Sequence, residues 1–237
     1  GYIDSLGYPF LRGRVFGNIE RDTGQHDTPA DIDWASGACM LMRRDAFSGV
    51  GGFDERLFAY MEEVDLSWRL RACGMRIRSV PSSLVYHRGN RAWRDMPRRK
   101  RFHEHRNNLV ILLKNLPASS LMRVIPLRLA LEWIAAARYL VRGELSDATA
   151  AVQSFFSFLW LAPGILYARD RNTVTVGTMR ASVLTAYFLR GQQTFDAIFS
   201  QPIDGTSSTN TVALQAKTIR TAAPSALVRT GRRRTPV

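Results

Sequence analysis

Four carboxylates, Glu55, Glu62, Glu63 and Asp65, fall between residues 55 and 65 of a chain that is otherwise strongly basic. Carboxylates held in a fixed cluster can take a proton from a substrate hydroxyl or ligate a divalent cation. Helix physics offers a plainer account of the same residues. Glu62, Glu63 and Asp65 open the run EEVDLSWRLRACG, where acidic groups suit the positive end of the helix dipole. Asp65 and Arg69 stand four apart and can pair on one face. Glu63 fits this account least well. It follows the Tyr60-Met61 turn with no obvious partner, at a strand-to-helix junction where a general base can work.

His87 closes the apolar run Leu84–His87. A histidine there is usually structural. Yet strand ends are where α/β sheets place ligand groups, and neutral imidazole binds divalent metals. His103 and His105 have only the spelling of a metal pair. Two apart on a helix they point to different sides, and FHEHR lacks the HExxH spacing. Gly49-Val-Gly-Gly reads as a turn, without the rest of a nucleotide fingerprint, and no Walker loop or Gly-x-Ser-x-Gly elbow is present.

The elements that must position these groups follow from pattern. Residues 1–32, rich in Gly and Asp, read as loop with one short strand. The apolar run 33–43 fits a buried strand. A short helix follows, with Asp45 as N-cap and a stop at Gly51-Gly52. Residues 62–73 predict a helix, with Leu66, Leu70 and Cys73 on one face and Gly74 just past its end. Residues 76–80 and 84–87 alternate as short strands around Pro81. Strand, helix and strand in this order predict a mixed α/β sheet. Pro97 opens a long helix reaching about Asn115, before Pro117. Ser119 caps a helix to about Val141, and Ser146 caps a nearly all-apolar one. Residues 148–168 carry no charge, enough length for a membrane span of ~20 residues. Gln153, Pro163 and Gly164 interrupt that run and favour an interfacial or re-entrant hairpin. A further helix is expected over 179–199, and the Thr/Ser/Ala/Arg tail from 201 is expected to be disordered.

Bulk composition narrows the function classes. The chain has 237 residues, 46 % hydrophobic, which is enough for a core and excludes global disorder. Cys39 and Cys73 have no metal-ligand spacing and read as reduced packing residues in a cytoplasmic setting. The net charge is +13, concentrated in residues 88–106 and in the tail. Such charge attracts nucleic acid, anionic lipid or phosphorylated substrates. In RRKRFHEHRNN the aromatic interleaving needed for base stacking is thin, and no nucleic-acid-binding signature accompanies it. A basic helix beside apolar ones fits an anionic membrane surface better. The opening residues have neither an initiator Met nor a signal-peptide pattern, so the chain is read as a piece of a longer polypeptide.

Taken together, WASGACMLMRRDAFSGVGGFDERLFAYMEEVDLSWRLRACGMRIRSVPSSLVYHRG resembles the second half of a family 2 glycosyltransferase catalytic domain. The similarity is to the rhamnosyltransferase- and galactofuranosyltransferase-like branch of bacterial cell-surface glycan synthesis. IDSLG, DTGQHDTP and HRNNLVILLKNLP fit the same branch. The resemblance covers residues 3–118 well and 119–200 loosely. It implies the C-terminal half of a GT-A fold over 1–118, membrane-associated helices over 119–200 and a basic tail over 201–237. It also implies inverting transfer from a nucleotide-sugar donor to a glycan or lipid-linked acceptor at the cytoplasmic face of the membrane.

That reaction needs a base for the acceptor hydroxyl and a divalent metal, Mg or Mn, for the leaving diphosphate. Glu62, Glu63, Val64 and Asp65 match the family's acidic motif. Glu63 stands in the base position where the family usually has Asp, and Glu62 and Asp65 support it. His87, 24 residues after Glu63, matches a metal ligand of some relatives. Trp34 and Gly37 match the strand lining the acceptor side, and Asp54 and Glu55 match the turn that shapes the pocket. Arg88 and the arginines after it are placed to meet a diphosphate or anionic headgroups. The family's Asp-x-Asp metal motif is not found at a strand end, and Asp31-Ile-Asp33 is read as coincidence. The expectation is a chain that does not turn over by itself. A non-catalytic membrane-binding module derived from a glycosyltransferase is the alternative.

Overall fold

The computed structural model describes residues 1–87, 96–169 and 182–199. In place of loop with one strand, the first 32 residues hold five very short strands. These are β1 (Tyr2–Ile3), β2 (Pro9–Phe10), β3 (Arg14–Val15), β4 (Asn18–Ile19) and β5 (Ala30–Ile32). β1 pairs with β2, β3 with β4, and β5 with β6 (Ile77–Ser79). Two residues are too few to show alternation, so such strands read as loop in the sequence. Gly7, at φ +79°, turns the first hairpin, and a Cβ there would lie 2.1 Å from Leu112. Helix and sheet are thus both present, as expected, but the three ladders are separate and each is antiparallel.

Two predicted strands do not form. Residues 33–43 are irregular and mostly exposed, with Leu41 fully in solvent. Leu84–His87 is likewise irregular and exposed. A strand is held by its ladder, and among the described residues neither segment has a partner, β6 pairing with β5 instead.

The helices follow the sequence more closely. α1 (Arg44–Gly49) has Asp45 inside its first turn instead of at the cap. α2 (Glu62–Ala72) buries Leu66 and Leu70 and is closed by Gly74 at φ +79°. Cys73 caps it in solvent, and both cysteines are free and exposed, not packed. α3 (Pro97–Asn115) has the predicted bounds. α4 (Ala118–Val141) and α5 (Leu145–Ala168) each start one residue before the predicted cap.

α5 runs unbroken through Pro163 and Gly164, so the expected interruption is corrected. The proline removes one N–H, but both it and Leu159, whose carbonyl loses that partner, are exposed, so water can replace the bond. The last predicted helix is two pieces, a π-helical turn (Thr185–Leu189) and α6 (Phe195–Phe199). They are separated at Gly191, φ +67°. Residues 179–181 and the tail from 201 lie outside the described residues.

One core joins Trp34, Leu57, Met61, Val64 and Trp68 to Leu109–Leu113 of α3 and to Phe158 and Ile165 of α5. It therefore spans residue 118, where the sequence suggested a boundary. A second cluster seats Val183, Ala186, Phe195 and Ile198 on Tyr2 and Val15. Asp4, fully buried, ties the two ends of this cluster by accepting from Val183 N at 3.1 Å.

Candidate functional site

The acidic cluster sits at the end of a loop with an unusual backbone. Phe58, Tyr60 and Met61 all have φ between +61° and +69°, a left-handed conformation disfavoured for side chains of this size. Such strain persists only where surroundings impose it. Here α3 does so. Asn107 Nδ2 donates to the carbonyls of Leu57, Ala59 and Tyr60 at 2.7–2.9 Å, and Arg106 donates to those of Arg56 and Leu57. Asn107 is fully buried. Sequence reasoning missed this clamp. The available signal was a pair of asparagines, Asn107 and Asn108, entering an otherwise apolar helical run, since polar groups buried on a helix need partners elsewhere.

Two of the predicted acidic residues are fasteners. Asp65 is completely buried and saturated. Its oxygens accept from Arg69 Nε (2.9 Å), Lys114 Nζ (2.8 Å) and Asn115 Nδ2 (2.8 Å). Asp54 pairs with Arg56 and, at 2.7 Å, with the same Lys114. Burial pushes the Asp54 carboxyl up, but the hydrogen bonds from Arg56 and Lys114 outweigh this and hold it well below the usual carboxylate range. Arg69 also donates to the carbonyls of Val50 and Gly52. Gly52 stands at φ +68° with Phe47 packed where its Cβ would be. The Gly-Gly-Phe-Asp turn is thereby riveted to α2 and α3.

Glu63 is different. It is half-buried at the start of α2 and belongs to none of the described ion pairs. α2 begins without a side-chain cap. Burial pushes the Glu63 carboxyl up, its own amide lowers it, and neighbouring Glu62 raises it again, for a net rise. A carboxylate raised in this way is a stronger base. Glu62, beside it, has a buried Oε2 with no hydrogen-bond partner among the described residues. Gly37 lies alongside, exposed, and a Cβ built on it would be 4.0 Å from that of Glu63. Trp34 is a core residue whose Nε1 donates to Tyr2 O at 3.0 Å. Glu55 is exposed.

The basic segment is partly structural. Arg99 and Lys100 lie over the rings of Phe58 and Tyr60. His103 stacks on Phe58 with centroids 5.6 Å apart and lies 3.3 Å from Arg106 Nη2 through its Nδ1. Guanidinium can only donate, so that nitrogen is the acceptor of a neutral ring. Burial, then Arg106 and Arg99, lower the His103 pKa to about 4. The unfolded chain therefore binds a proton that the folded chain refuses, and stability falls as pH drops from about 6.5 toward 4. With solvent screening allowed for, this one group should remove roughly 1 kcal/mol between pH 7 and 5. Urea melts of His103→Gln should lose that part of the slope, and an unchanged slope would refute the assignment.

The described residues do not fit a resident Mg or Mn. Among them no group of three or more His, Cys, Asp or Glu could hold a cation. His87 is exposed, and Asp54 and Asp65 are taken by Lys and Arg. Asp31 and Asp33, the Asp-x-Asp spelling, pair with Arg78 and Arg71. Arg88 lies outside the described residues.

Similarity to known proteins is confined to segments. One is 55 % identical over 56 residues to N-acetylglucosaminyl-diphospho-decaprenol L-rhamnosyltransferase of Mycobacterium tuberculosis, covering 24 % of this chain and 18 % of that protein. A second is 41 % identical over 78 residues to rhamnosyltransferase WbbL of Escherichia coli K12, covering 33 % and 29 %. Both of these relatives are named as rhamnosyltransferases. A third, the pre-mycofactocin glycosyltransferase of M. tuberculosis, is 37 % identical over 86 residues, covering 35 % and 18 %. The matches thus span less than a third of the length of each of these relatives. No protein-family model and no solved structure matches the chain.

Proposed function

We propose that this chain carries the acceptor-activating part of an inverting family 2 glycosyltransferase with a GT-A fold. It transfers a rhamnose- or galactofuranose-like sugar from a nucleotide-sugar to a cell-surface glycan or lipid-linked acceptor. Glu63 takes the proton of the acceptor hydroxyl. The oxygen attacks the anomeric carbon from the face opposite the leaving group, the bond to the diphosphate breaks, and configuration inverts. Glu62 and Asp65 act in support: Glu62 keeps the neighbouring carboxyl basic, and Asp65 fixes α2 against α3. The loop clamped by Asn107 sets where the α2 N-terminus lies. Asp54 shapes the turn beside it, and Gly37 leaves room at Glu63 on the acceptor side.

One observation carries this reading. The carboxylate that the family resemblance assigns as base is half-buried beside Glu62, where burial pushes its carboxyl up, and has no paired cation among the described residues. The test uses the native polypeptide that contains this chain, with a polyprenyl-diphospho-N-acetylglucosamine acceptor and a panel of nucleotide-activated sugars. Transfer with an inverted anomeric centre, read by NMR of the product, is expected. Transfer with retention, or none from any donor, would overturn the proposal.

A further inference from the structure

α4 is apolar on both sides, with Leu121, Val124, Ile125 and Leu129 packed inward against the core. Its buried face carries Arg128 and Glu132, 1 % and 6 % exposed, paired at 2.9 Å. Glu132 also bonds His105 Nδ1, and Arg128 lies 3.5 Å over the Tyr8 ring. Burial raises the Glu132 carboxyl, but His105 and Arg128 outweigh it and hold it low. The opposite face shows Leu127, Ala130, Trp133, Ile134, Ala137 and Val141 to solvent, a stripe at the helical period. A second apolar face left exposed, opposite one already used by the core, suits a helix whose outer solvent is lipid. α5 continues the surface with Phe156, Trp160 and Tyr167, all exposed. Trp133, Phe155 and Phe156 join the two helices, with successive centroids 5.2 and 5.4 Å apart.

We infer that the outer face of α4 and α5 is a membrane-docking surface that lies in the plane of an anionic bilayer and does not cross it. α5 is long and apolar enough to span, and most of its apolar stretch is not buried against the protein. Its neighbour forbids that. α3 runs beside α5 along its whole length, from Arg98 on Gln153 and Arg101 near Asp147 to Arg169 on the carbonyls of Leu113 and Leu116. A crossing α5 would take Arg98, Lys100, Arg101 and Glu104, and the Asp65–Lys114 pair at the other end of α3, into hydrocarbon. Lying flat, the hairpin wets only its apolar face with lipid. Trp133, Trp160 and Tyr167 have the amphipathic rings favoured at headgroup depth. Arg123 and Arg138 are exposed on α4, and Arg142 just past its end, where anionic headgroups complement a chain of net charge +13.

This surface is independent of the glycosyl-transfer reading, because its test needs no turnover. The full 237-residue chain is floated with phosphatidylcholine vesicles, with and without phosphatidylglycerol, at low and high salt. Flotation that requires the anionic lipid and weakens with salt is expected. Ile134→Glu/Trp160→Glu changes two exposed side chains, so melting should hold while the bound fraction falls roughly tenfold or more. Ser146→Cys at the hairpin tip, with Cys39 and Cys73 replaced by Ser, should react fully with an impermeant maleimide added outside sealed vesicles. Labelling only after detergent would mean that the hairpin crosses. Failure to float, or equal flotation of the double variant, would overturn the surface. So would a lipid-free dimer that the double variant disperses, since the face would then belong to a second copy of the chain.

Discussion

Glu63→Gln in the native enzyme should lower kcat by about 10²–10⁴-fold, the usual share of a general base, while the fold melts at the same temperature or slightly above. The two halves of this expectation have one cause. Burial disfavours the ionised Glu63 and raises its pKa. An acid raised on folding contributes stability below its unfolded pKa that is lost as pH rises through the folded value. At neutral pH the carboxylate is therefore a small liability to the fold, and a neutral amide of the same shape removes it. The same amide cannot accept the hydroxyl proton. In the wild type, kcat should rise with pH through the raised carboxyl pKa, so the acid limb lies above the ordinary value of about 4.3 for Glu. Steady-state kinetics and a thermal melt on the same preparation decide the matter. A variant that keeps activity within about threefold of wild type would move the base elsewhere.

Asp65→Ala should do the opposite, damaging the fold first. It leaves Lys114 and Arg69 facing an empty acceptor and Asn115 without its partner. Breaking a buried ion pair by removing one partner costs about 3–5 kcal/mol. Whole domains are stable by only about 5–15 kcal/mol. Asp54 still pairs with Lys114, so the loss should sit at the lower end of that range. Urea denaturation measures it directly. A destabilisation below about 1 kcal/mol would show that α2 is held to α3 by packing alone.

Two acidic residues, two positions apart, thus sit in different surroundings, and the one local distinction is Arg69, four residues after Asp65. Glu63 and Asp65 share a helix start, a charge and a favourable dipole. The larger difference comes from α3, which brings Lys114 and Asn115 from 49 and 50 residues away to Asp65, while Glu63 has no ion pair among the described residues. The clamp from Asn107 to the 57–60 loop arises in the same way.

The bounds of α2 and α3 were legible in the sequence, because their signals are local. Pro97 and Pro117 set the bounds of α3, Gly74 closes α2, and apolar spacing chooses the buried side of α2 through Leu66 and Leu70. It also carried the linked motifs shared with glycosyltransferases. The fold set which apolar segments become strands, since a ladder needs a partner that residues 33–43 and 84–87 do not find among the described residues. It set too that α5 continues through Pro163, and that α4 buries Arg128 and Glu132, with Ile125 and its apolar neighbours on the core, while a second apolar face stays exposed. Periodicity reveals that a helix has two faces; which face meets the rest of the protein is set by the neighbours that fold against it.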